Sequence, residues 1–333
     1  MRALEVVGPQ RVRIAERPLP DPGPGEVRIR VHWAGVCGTD YSLIGGRLVF
    51  AEYPVVAGHE FSGRVSAVGE GANLQLGQPV TVNPVLSCQQ CDVCRRGDIH
   101  LCARAAVLGV AGTPGGFADE VVVPAYTVRC LPEDLSLEAA ALIEPTAVAV
   151  RVARSAGIRT GDRVAILGAG SIGLLVLQVA RVLGATYVAV TDPIGSHMRI
   201  ALGLGGSELV LGEGTGDYDV VIDGVGAPET MQRAVELTRQ GGAIVVYGVP
   251  RLERFELPVQ EMFRNNLRLV FARLYPSDLS EAIAMLQKGD VNWNAIVTHR
   301  VALEDLPATI TSVMADPGAG VKVLVHIAQT EDA

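Results

Sequence analysis

Four cysteines fall within one stretch of fifteen residues: Cys88, Cys91, Cys94 and Cys102. Their spacing, C-x2-C-x2-C-x7-C, brings four thiolates within reach of one ion, and four thiolates are the donor set of a closed tetrahedral zinc site. Such an ion stabilises a loop that lacks its own core, because its binding energy becomes local folding energy. The alternatives are an iron–sulfur cluster or free buried cysteines. The pattern predicts a structural zinc, with Arg95 and Arg96 offsetting part of the thiolate charge.

A second set of possible metal ligands is spread over the first 144 residues. Cys37 lies in Gly-Val-Cys-Gly-Thr-Asp, His59 and Glu60 lie in Ala-Gly-His-Glu-Phe, and Glu144 lies in Ile-Glu-Pro-Thr. Each residue alone has an ordinary interpretation, such as a core cysteine or a capping carboxylate. Together they offer one thiolate, one imidazole and one or two carboxylates, which are the ligand types of a catalytic zinc with an exchangeable position.

Residues 168–173 read Gly-Ala-Gly-Ser-Ile-Gly, between a predicted strand at Val164–Leu167 and a predicted helix at Ser171–Leu183. In this context the pattern indicates a dinucleotide site, since the glycines allow a tight turn, approach of a pyrophosphate and close packing of helix on strand. The helix amino terminus supplies N–H groups and a positive dipole for the phosphates. The residues expected to contact the dinucleotide in this turn are Gly168, Gly170, Ser171, Ile172 and Gly173.

Asp192 ends the next predicted strand, 19 residues after Gly173. An acid at this point accepts hydrogen bonds from the adenosine ribose and repels a 2′-phosphate, which favours NAD over NADP. The alternative is a residue that only caps the following turn. Later strands end near Asp223 and Tyr247, and we expect the residues after them to line the cofactor: Val225, Gly226, Gly248 and Val249.

The predicted secondary structure around these residues divides the chain into two parts with different patterns. The first part has short apolar runs separated by Gly and Pro, which is typical of a β-rich domain, followed by a predicted helix over Leu137–Ala156. From Asp162, strands alternate with helices, which predicts a doubly wound parallel sheet. We predict an α/β protein with a catalytic domain at residues 1–148 and 277–333, and a cofactor domain inserted at residues 149–276.

Composition excludes several classes of function. The chain has 333 residues, a net charge of −8 and 49% hydrophobic residues, so a folded two-domain protein is expected and a general nucleic-acid binder is not. No apolar run approaches the roughly 18 residues of a membrane span, and the amino terminus lacks the features of a signal peptide. Clustered cysteines without a signal peptide also favour metal binding over disulfides, and we expect a cytoplasmic protein.

In its Gly-His-Glu motif, with His59 22 residues after Cys37, its four-cysteine lobe and its Gly-Ala-Gly-Ser-Ile-Gly turn, the chain resembles the zinc-containing medium-chain dehydrogenases over their whole length. The Glu144–Pro145 pair is similar to the sorbitol and threonine dehydrogenase branch, whereas liver-type alcohol dehydrogenases carry cysteine there. The resemblance implies a GroES-like catalytic domain, a Rossmann cofactor domain, two zinc ions per chain and a homo-oligomer, a dimer or tetramer.

The resemblance also assigns roles. It implies that Cys37 and His59 bind the catalytic zinc, that Glu60 and Glu144 share the remaining coordination, and that Thr39 receives the proton of the substrate hydroxyl. Zinc polarises the substrate oxygen, and hydride passes to or from the nicotinamide. The implied substrate is a small secondary alcohol, namely a polyol, an amino alcohol or a cyclitol.

Two positions depart from the family pattern. Ser42 stands where many relatives have the histidine that passes the proton to solvent, and His197 stands where many have an arginine over the adenine. Asp40 is expected to cap a helix and Cys130 to lie in the core. Two arginines, Arg47 in the loop Leu43–Phe50 and Arg273, are candidates for gripping a substrate or are simply solvated.

Two other classes of function compete with this interpretation. The first is a zinc-free quinone or enone reductase on the same scaffold, and the second is a nucleotide-binding protein without turnover. Metal content distinguishes the first, and turnover the second.

Overall fold

The computed structural model describes residues 1–48, 51–110, 112–210, 216–250, 252–275 and 279–328. The described strands, in chain order, are β1 (Arg2–Gly8), β2 (Arg11–Glu16), β3 (Glu26–Gly35), β4 (Val55–Val56), β5 (Glu60–Val68), β6 (Pro79–Val82), β7 (Val85–Leu86), β8 (Ala106–Val107), β9 (Glu120–Pro124), β10 (Val128–Cys130), β11 (Arg163–Leu167), β12 (Tyr187–Thr191), β13 (Ser207–Glu208), β14 (Tyr218–Asp223), β15 (Thr238–Val246), β16 (Arg268–Phe271), β17 (Val297–Ala302) and β18 (Lys322–His326).

The described α-helices are α1 (Gly38–Ile44), α2 (Asp92–Arg95), α3 (Leu137–Ala140), α4 (Ile143–Ala156), α5 (Ser171–Val182), α6 (Gly195–Gly203), α7 (Pro228–Leu237), α8 (Val259–Arg264), α9 (Leu279–Lys288) and α10 (Leu306–Ala315). The expected single helix over Leu137–Ala156 is divided into α3 and α4, so that Pro145 lies in the first turn of α4, where its missing N–H costs nothing. No described helix has the length and apolar character needed to cross a membrane.

The chain forms two compact units, Met1–Glu144 with Val297–Ala333, and Pro145–Ile296. In the first unit β10, β6, β5, β3, β18 and β17 lie side by side in that order, and β9 also pairs with β3. Along β3, Val27, Ile29 and Val31 are fully buried while the residues between them reach the surface. This period of two buries one face of the sheet in the core.

The second unit contains a six-stranded parallel sheet with the order β13-β12-β11-β14-β15-β16. Four of the five residues of β11 are buried, as expected for a strand covered on both faces. The order reverses beside β11, which creates the crevice where such sheets bind ligands. The predicted α/β class with a doubly wound second domain is confirmed.

Residues 279–296 lie with the second unit, not with the first as the expected boundary at residue 277 implied. Asn292 donates its backbone N–H to the buried side-chain oxygen of Gln178 on α5 (2.7 Å), and α9 buries Leu279, Ala282 and Met285. A polar anchor and an apolar helix face hold this segment on the parallel sheet unit. The chain therefore returns to the first unit at β17.

Candidate metal centre and dinucleotide site

Cys37 and Thr39 owe their positions to the start of α1. Cys37 is the N-cap residue, and its backbone N–H donates to the Asp40 carboxylate at 2.8 Å. This turn places the Thr39 hydroxyl oxygen 3.7 Å from the Cys37 sulfur. The predicted capping role of Asp40 is confirmed.

His59 and Glu60 are supplied by the start of β5. One ligand atom from each of Cys37, His59 and Glu60 lies within 4.8 Å of the other two, and His59 and Glu60 are buried. Residues from two separate segments therefore converge on one point. A thiol, an imidazole and a carboxylate at this separation can hold a divalent ion.

The imidazole of His59 has a carboxylate behind it. Its Nδ1 is buried, makes no hydrogen bond within the described residues and lies 3.8 Å from Oδ1 of Asp40, which is fully buried. Burial alone would lower the pKa of His59, but the charges of Cys37 and Asp40 raise it well above its usual value. The surplus of negative charge that attracts a proton in this group also attracts a metal cation, so the donor set fits zinc.

Glu60 forms an ion pair with Lys322, and both side chains are almost completely buried. Lys322 also donates to the carbonyl oxygen of Val36 at 3.1 Å. Burial opposes the charge of Lys322, but Glu60 and Cys37 outweigh that effect and raise its pKa. A Cβ on Gly35 would overlap the Glu60 carboxylate and lie 3.1 Å from Cε of Lys322, so the pair as placed uses the space that the glycine leaves.

Glu144 is buried in the first turn of α4, and its charge contributes to raising the pKa values of His59 and Lys322. It lies outside the three-residue group whose ligand atoms share the 4.8 Å limit. The structure thus brings Cys37, His59 and Glu60 together and leaves Glu144 nearby as a fourth negative group.

The second metal-binding group consists of the four lobe cysteines, whose sulfur atoms all lie within 4.8 Å of one another. The Cys91–Cys94, Cys88–Cys94 and Cys91–Cys102 sulfur distances are 3.4, 3.8 and 4.0 Å. Zinc–sulfur bonds of about 2.3 Å in a tetrahedron separate the sulfurs by about 3.8 Å, so this group also fits zinc. All six cysteines of the chain are free thiols.

The charge around the lobe is arranged differently from the expectation. Arg95 and Arg96 pair with Asp92 and Asp98, whereas Arg104 interacts with the Cys88 sulfur, which raises the pKa of the guanidinium. Backbone N–H groups of Gln90 and Cys91 lower the pKa of Cys88 to about 5. Cys88 can therefore bind a metal with little proton release, whereas burial raises the pKa of Cys94 to about 11.

The glycine-rich turn follows β11 and opens α5. Gly168 has a φ of +106°, and a Cβ on Gly173 would overlap the Gly168 carbonyl, so only glycine fits at either position. Nothing lies within 4 Å of the Cβ position at Gly170, the N-cap of α5. The turn therefore leaves open space in front of the helix amino terminus, where Ser171 and Ile172 form the first turn.

Asp192 directly follows β12, and its carboxylate accepts the backbone N–H groups of Ala169 (2.8 Å) and Ile194 (2.9 Å). Burial opposes the charge of Asp192, but the nearby His197 ring and the hydrogen bonds from Ile194 and Ala169 lower its pKa. The carboxylate thus does cap its turn, and it is also joined to the glycine-rich turn through Ala169. His197, which stands where many members of the resembled family have an arginine, has its Nδ1 3.5 Å from Asp192 Oδ1. It helps to keep the Asp192 carboxylate charged.

Two loops follow β14 and β15 at the same end of the sheet. Val225 and Val249 are exposed, and a Cβ on Gly248 would lie 2.5 Å from the Val225 carbonyl carbon. The two loops therefore touch through backbone atoms. They leave the two valine side chains facing outward at the carboxyl ends of the strands.

The remaining residues predicted to lie at the substrate pocket or in the core do not form a group in the structure. Ser42 donates its hydroxyl to the Gly38 carbonyl within α1 (3.0 Å), and Arg47 and Arg273 are exposed. Val49 and Phe50 of the expected pocket loop lie outside the described residues. The expectation that Cys130 lies in the core is wrong, because this last residue of β10 is exposed.

The sequence patterns missed two side chains at these sites, Lys322 and Arg104. They also missed that Asp40, predicted as a helix cap, lies beside His59. Lys322 is 262 positions from Glu60, and a lone lysine in an apolar strand gives no local signal. Arg104 lies two residues beyond the last lobe cysteine, and this proximity is a signal that could have been used.

Comparison with known proteins follows the same division of the chain. The alcohol dehydrogenase GroES-like domain model matches residues 23–133, and the zinc-binding dehydrogenase model matches residues 171–288. L-Galactonate-5-dehydrogenase of Escherichia coli K12 is 33% identical over 93% of this chain and 94% of that protein.

Two solved structures cover 98% of this chain. The rspB alcohol dehydrogenase from Escherichia coli CFT073, complexed with NADH, has a TM-score of 0.91 and 31% identity over 99% of that chain. A Sinorhizobium meliloti 1021 structure bound to NADP has a TM-score of 0.90 and 30% identity over 98% of that chain.

Proposed function

This chain belongs to the zinc-binding dehydrogenase family, and from its two metal-binding groups we propose a zinc-dependent dehydrogenase that uses NAD to oxidise a polyol, a sugar acid or a related secondary alcohol. The observation that carries the proposal is the convergence of Cys37, His59 and Glu60 within 4.8 Å. The relative that acts on L-galactonate supports a hydroxyl-rich substrate. Amino alcohols and cyclitols are the alternatives within the same reaction.

We propose that Cys37, His59 and a carboxylate hold the catalytic zinc, with Glu60 and Glu144 sharing the carboxylate role. The chemistry supplied by the two bound groups is Lewis-acid polarisation of the substrate oxygen by zinc and hydride exchange with the nicotinamide. Asp40 orients the His59 ring from behind, and Lys322 competes with the metal for Glu60. The four lobe cysteines hold a second, structural zinc.

Thr39 is the proposed proton acceptor. Its hydroxyl is 3.7 Å from the Cys37 sulfur, which puts it within reach of an oxygen bound beside that ligand. Ser42 is directed to the Gly38 carbonyl, so we propose that the proton leaves Thr39 through water or the cofactor ribose. Asp192 is the proposed acceptor for the adenosine ribose, and its charge disfavours a 2′-phosphate.

The test is cofactor reduction by zinc-loaded protein with a panel of polyols, sugar acids, threonine, cyclitols and simple secondary alcohols. We expect one class to support reduction of NAD, at least about tenfold faster than NADP, because the Asp192 carboxylate repels the extra phosphate. Chelation should abolish the reaction and zinc should restore it. Reduction that survives removal of zinc would instead identify a zinc-free reductase, and cofactor binding without turnover would identify a sensor.

We further propose a cytoplasmic homo-oligomer that assembles through the β16 edge of the parallel sheet. The clustered free thiols favour a reducing compartment. Among the described residues, β16 pairs only with β15, and Phe271 on β16 is 60% exposed. Val259 and Phe263 on the neighbouring α8 are also exposed. An open apolar edge can pair with its own copy about a two-fold axis.

Replacing Phe271 with glutamate is expected to shift the protein to a smaller species in light scattering coupled to size-exclusion chromatography. A glutamate on this apolar edge would be buried in the contact without an opposite charge, which opposes association. The control is Leu76→Glu, since Leu76 is comparably exposed on the first unit (70%). An unchanged mass for Phe271→Glu, or a wild-type monomer, would rule out this edge as the interface.

A further inference from the structure

Tyr247 is an unassigned side chain at the carboxyl edge of the parallel sheet. It directly follows β15, and its backbone N–H donates to the carbonyl oxygen of Asp223, the last residue of β14, at 3.0 Å. The position of its backbone is therefore fixed by two neighbouring strands. Ligands of doubly wound sheets bind at this edge.

The phenol ring extends across the loop that follows β14. A Cβ on Gly224 would overlap the Tyr247 ring and hydroxyl, and a Cβ on Gly173 would lie 3.4 Å from the Tyr247 oxygen. The hydroxyl thus stands between the β14 loop and the first turn of α5. That turn belongs to the proposed pyrophosphate site.

The hydroxyl of Tyr247 makes no hydrogen bond to any residue in the described part of the chain. The Asp223 carboxylate, one of two charges that act on Tyr247, already accepts the N–H groups of Val225 (2.8 Å) and Gly226 (3.1 Å) and the Thr230 hydroxyl (2.9 Å). Burial raises the pKa of Tyr247, and the charges of Asp223 and Asp192 raise it further. The group is therefore a protonated donor without an acceptor.

We propose that the Tyr247 hydroxyl donates a hydrogen bond to the bound dinucleotide, at an oxygen of the pyrophosphate or of the nicotinamide ribose. Asp192 follows β12, which lies on one side of β11 in the sheet. Tyr247 follows β15, which lies on the other side of β11, past β14. A dinucleotide crossing this switch point with its adenosine at Asp192 presents its other half to Tyr247. The inference rests on the proposed function and names a cofactor-binding residue of that same site.

The test measures equilibrium binding of NADH, ADP-ribose and AMP to wild type and to Tyr247→Phe, by calorimetry and fluorescence. ADP-ribose keeps the pyrophosphate and both riboses. AMP keeps only the adenosine and one phosphate, so it lacks the pyrophosphate and the second ribose. Loss of one hydrogen bond should weaken NADH and ADP-ribose by about fivefold to tenfold and leave AMP unchanged. The melting temperature of the variant should match that of wild type, because the hydroxyl bonds no described residue.

The matched control is Tyr187→Phe, since Tyr187 begins β12 at the opposite, amino end of the strands. It should bind all three nucleotides as wild type does. Equal affinity of Tyr247→Phe and wild type for NADH would overturn the role of Tyr247 alone, as would an equal loss for AMP. If wild type bound no NADH, the proposed function itself would fail, and this inference with it.

Discussion

Replacing His59 with alanine is expected to reduce kcat/KM by at least about 10³-fold and to lower the zinc content by one ion per chain. A Lewis acid contributes several kcal/mol to stabilising charge in the transition state, and each 1.4 kcal/mol is about tenfold in rate. The imidazole is one of three ligand groups within 4.8 Å, so its removal leaves a thiolate and a carboxylate that hold zinc weakly. Zinc per chain, measured by mass spectrometry, and steady-state kinetics check the two effects separately.

The control for this substitution is His299→Ala, because His299 lies on β17 and belongs to neither described metal-binding group. That variant should retain wild-type zinc content and activity. The lobe of His59→Ala should keep its own ion, since its four sulfurs are untouched. Wild-type turnover in a His59→Ala protein that has lost one zinc would mean that the ion at this site takes no part in catalysis.

Replacing Lys322 with methionine is expected to cost about 3–5 kcal/mol of stability, because it leaves the Glu60 carboxylate buried without its partner. For a chain of 333 residues that unfolds as one unit, with an unfolding entropy of about 2.1 cal/mol/K per residue, that loss lowers the melting temperature by roughly 4–7 °C. The chain has only one other lysine, Lys288, which is exposed at the end of α9 and provides the control Lys288→Met. Differential scanning calorimetry measures both variants.

A second substitution distinguishes loss of the pair from loss of packing. In the double variant Glu60→Gln with Lys322→Met, the Glu60 charge is removed together with its partner, so much of the lost stability should return. A melting temperature of Lys322→Met within about 2 °C of wild type would show that Glu60 takes up a proton or another partner at little cost.

The residues that carry chemistry were predictable where their spacing is local. The four lobe cysteines and the pair His59–Glu60 are each contained in a short segment, and the glycine-rich turn requires its glycines for steric reasons visible in the pattern. The limits of β12 followed from a local signal as well, since Tyr187–Thr191 has three buried residues at its centre and is bounded by turns. The confirmed α/β architecture rests on these local signals.

Long-range pairings were not predictable in this way. The capping bond from the Cys37 N–H is enough to account for Asp40 in the local sequence. Nothing in that segment therefore predicts that Asp40 also lies beside His59. The return to the first unit at Val297 depends on Gln178 and Asn292, which lie on different segments and contact each other only after folding. Cys130 is the last residue of the three-residue strand β10, in which exposure rises from the buried Val128 to the exposed Cys130, and no sequence pattern shows where the core ends.

The glycine beside the Glu60–Lys322 pair has a consequence for how this sequence can vary. Position 35 lacks a side chain because the volume above it is taken by residues 60 and 322, so the three positions form one steric unit drawn from distant parts of the chain. A larger residue at position 35 requires the end of the Glu60 or Lys322 side chain to shift, so its effect depends on which residues occupy positions 60 and 322. A variant that loses the buried pair has room for a larger side chain at position 35.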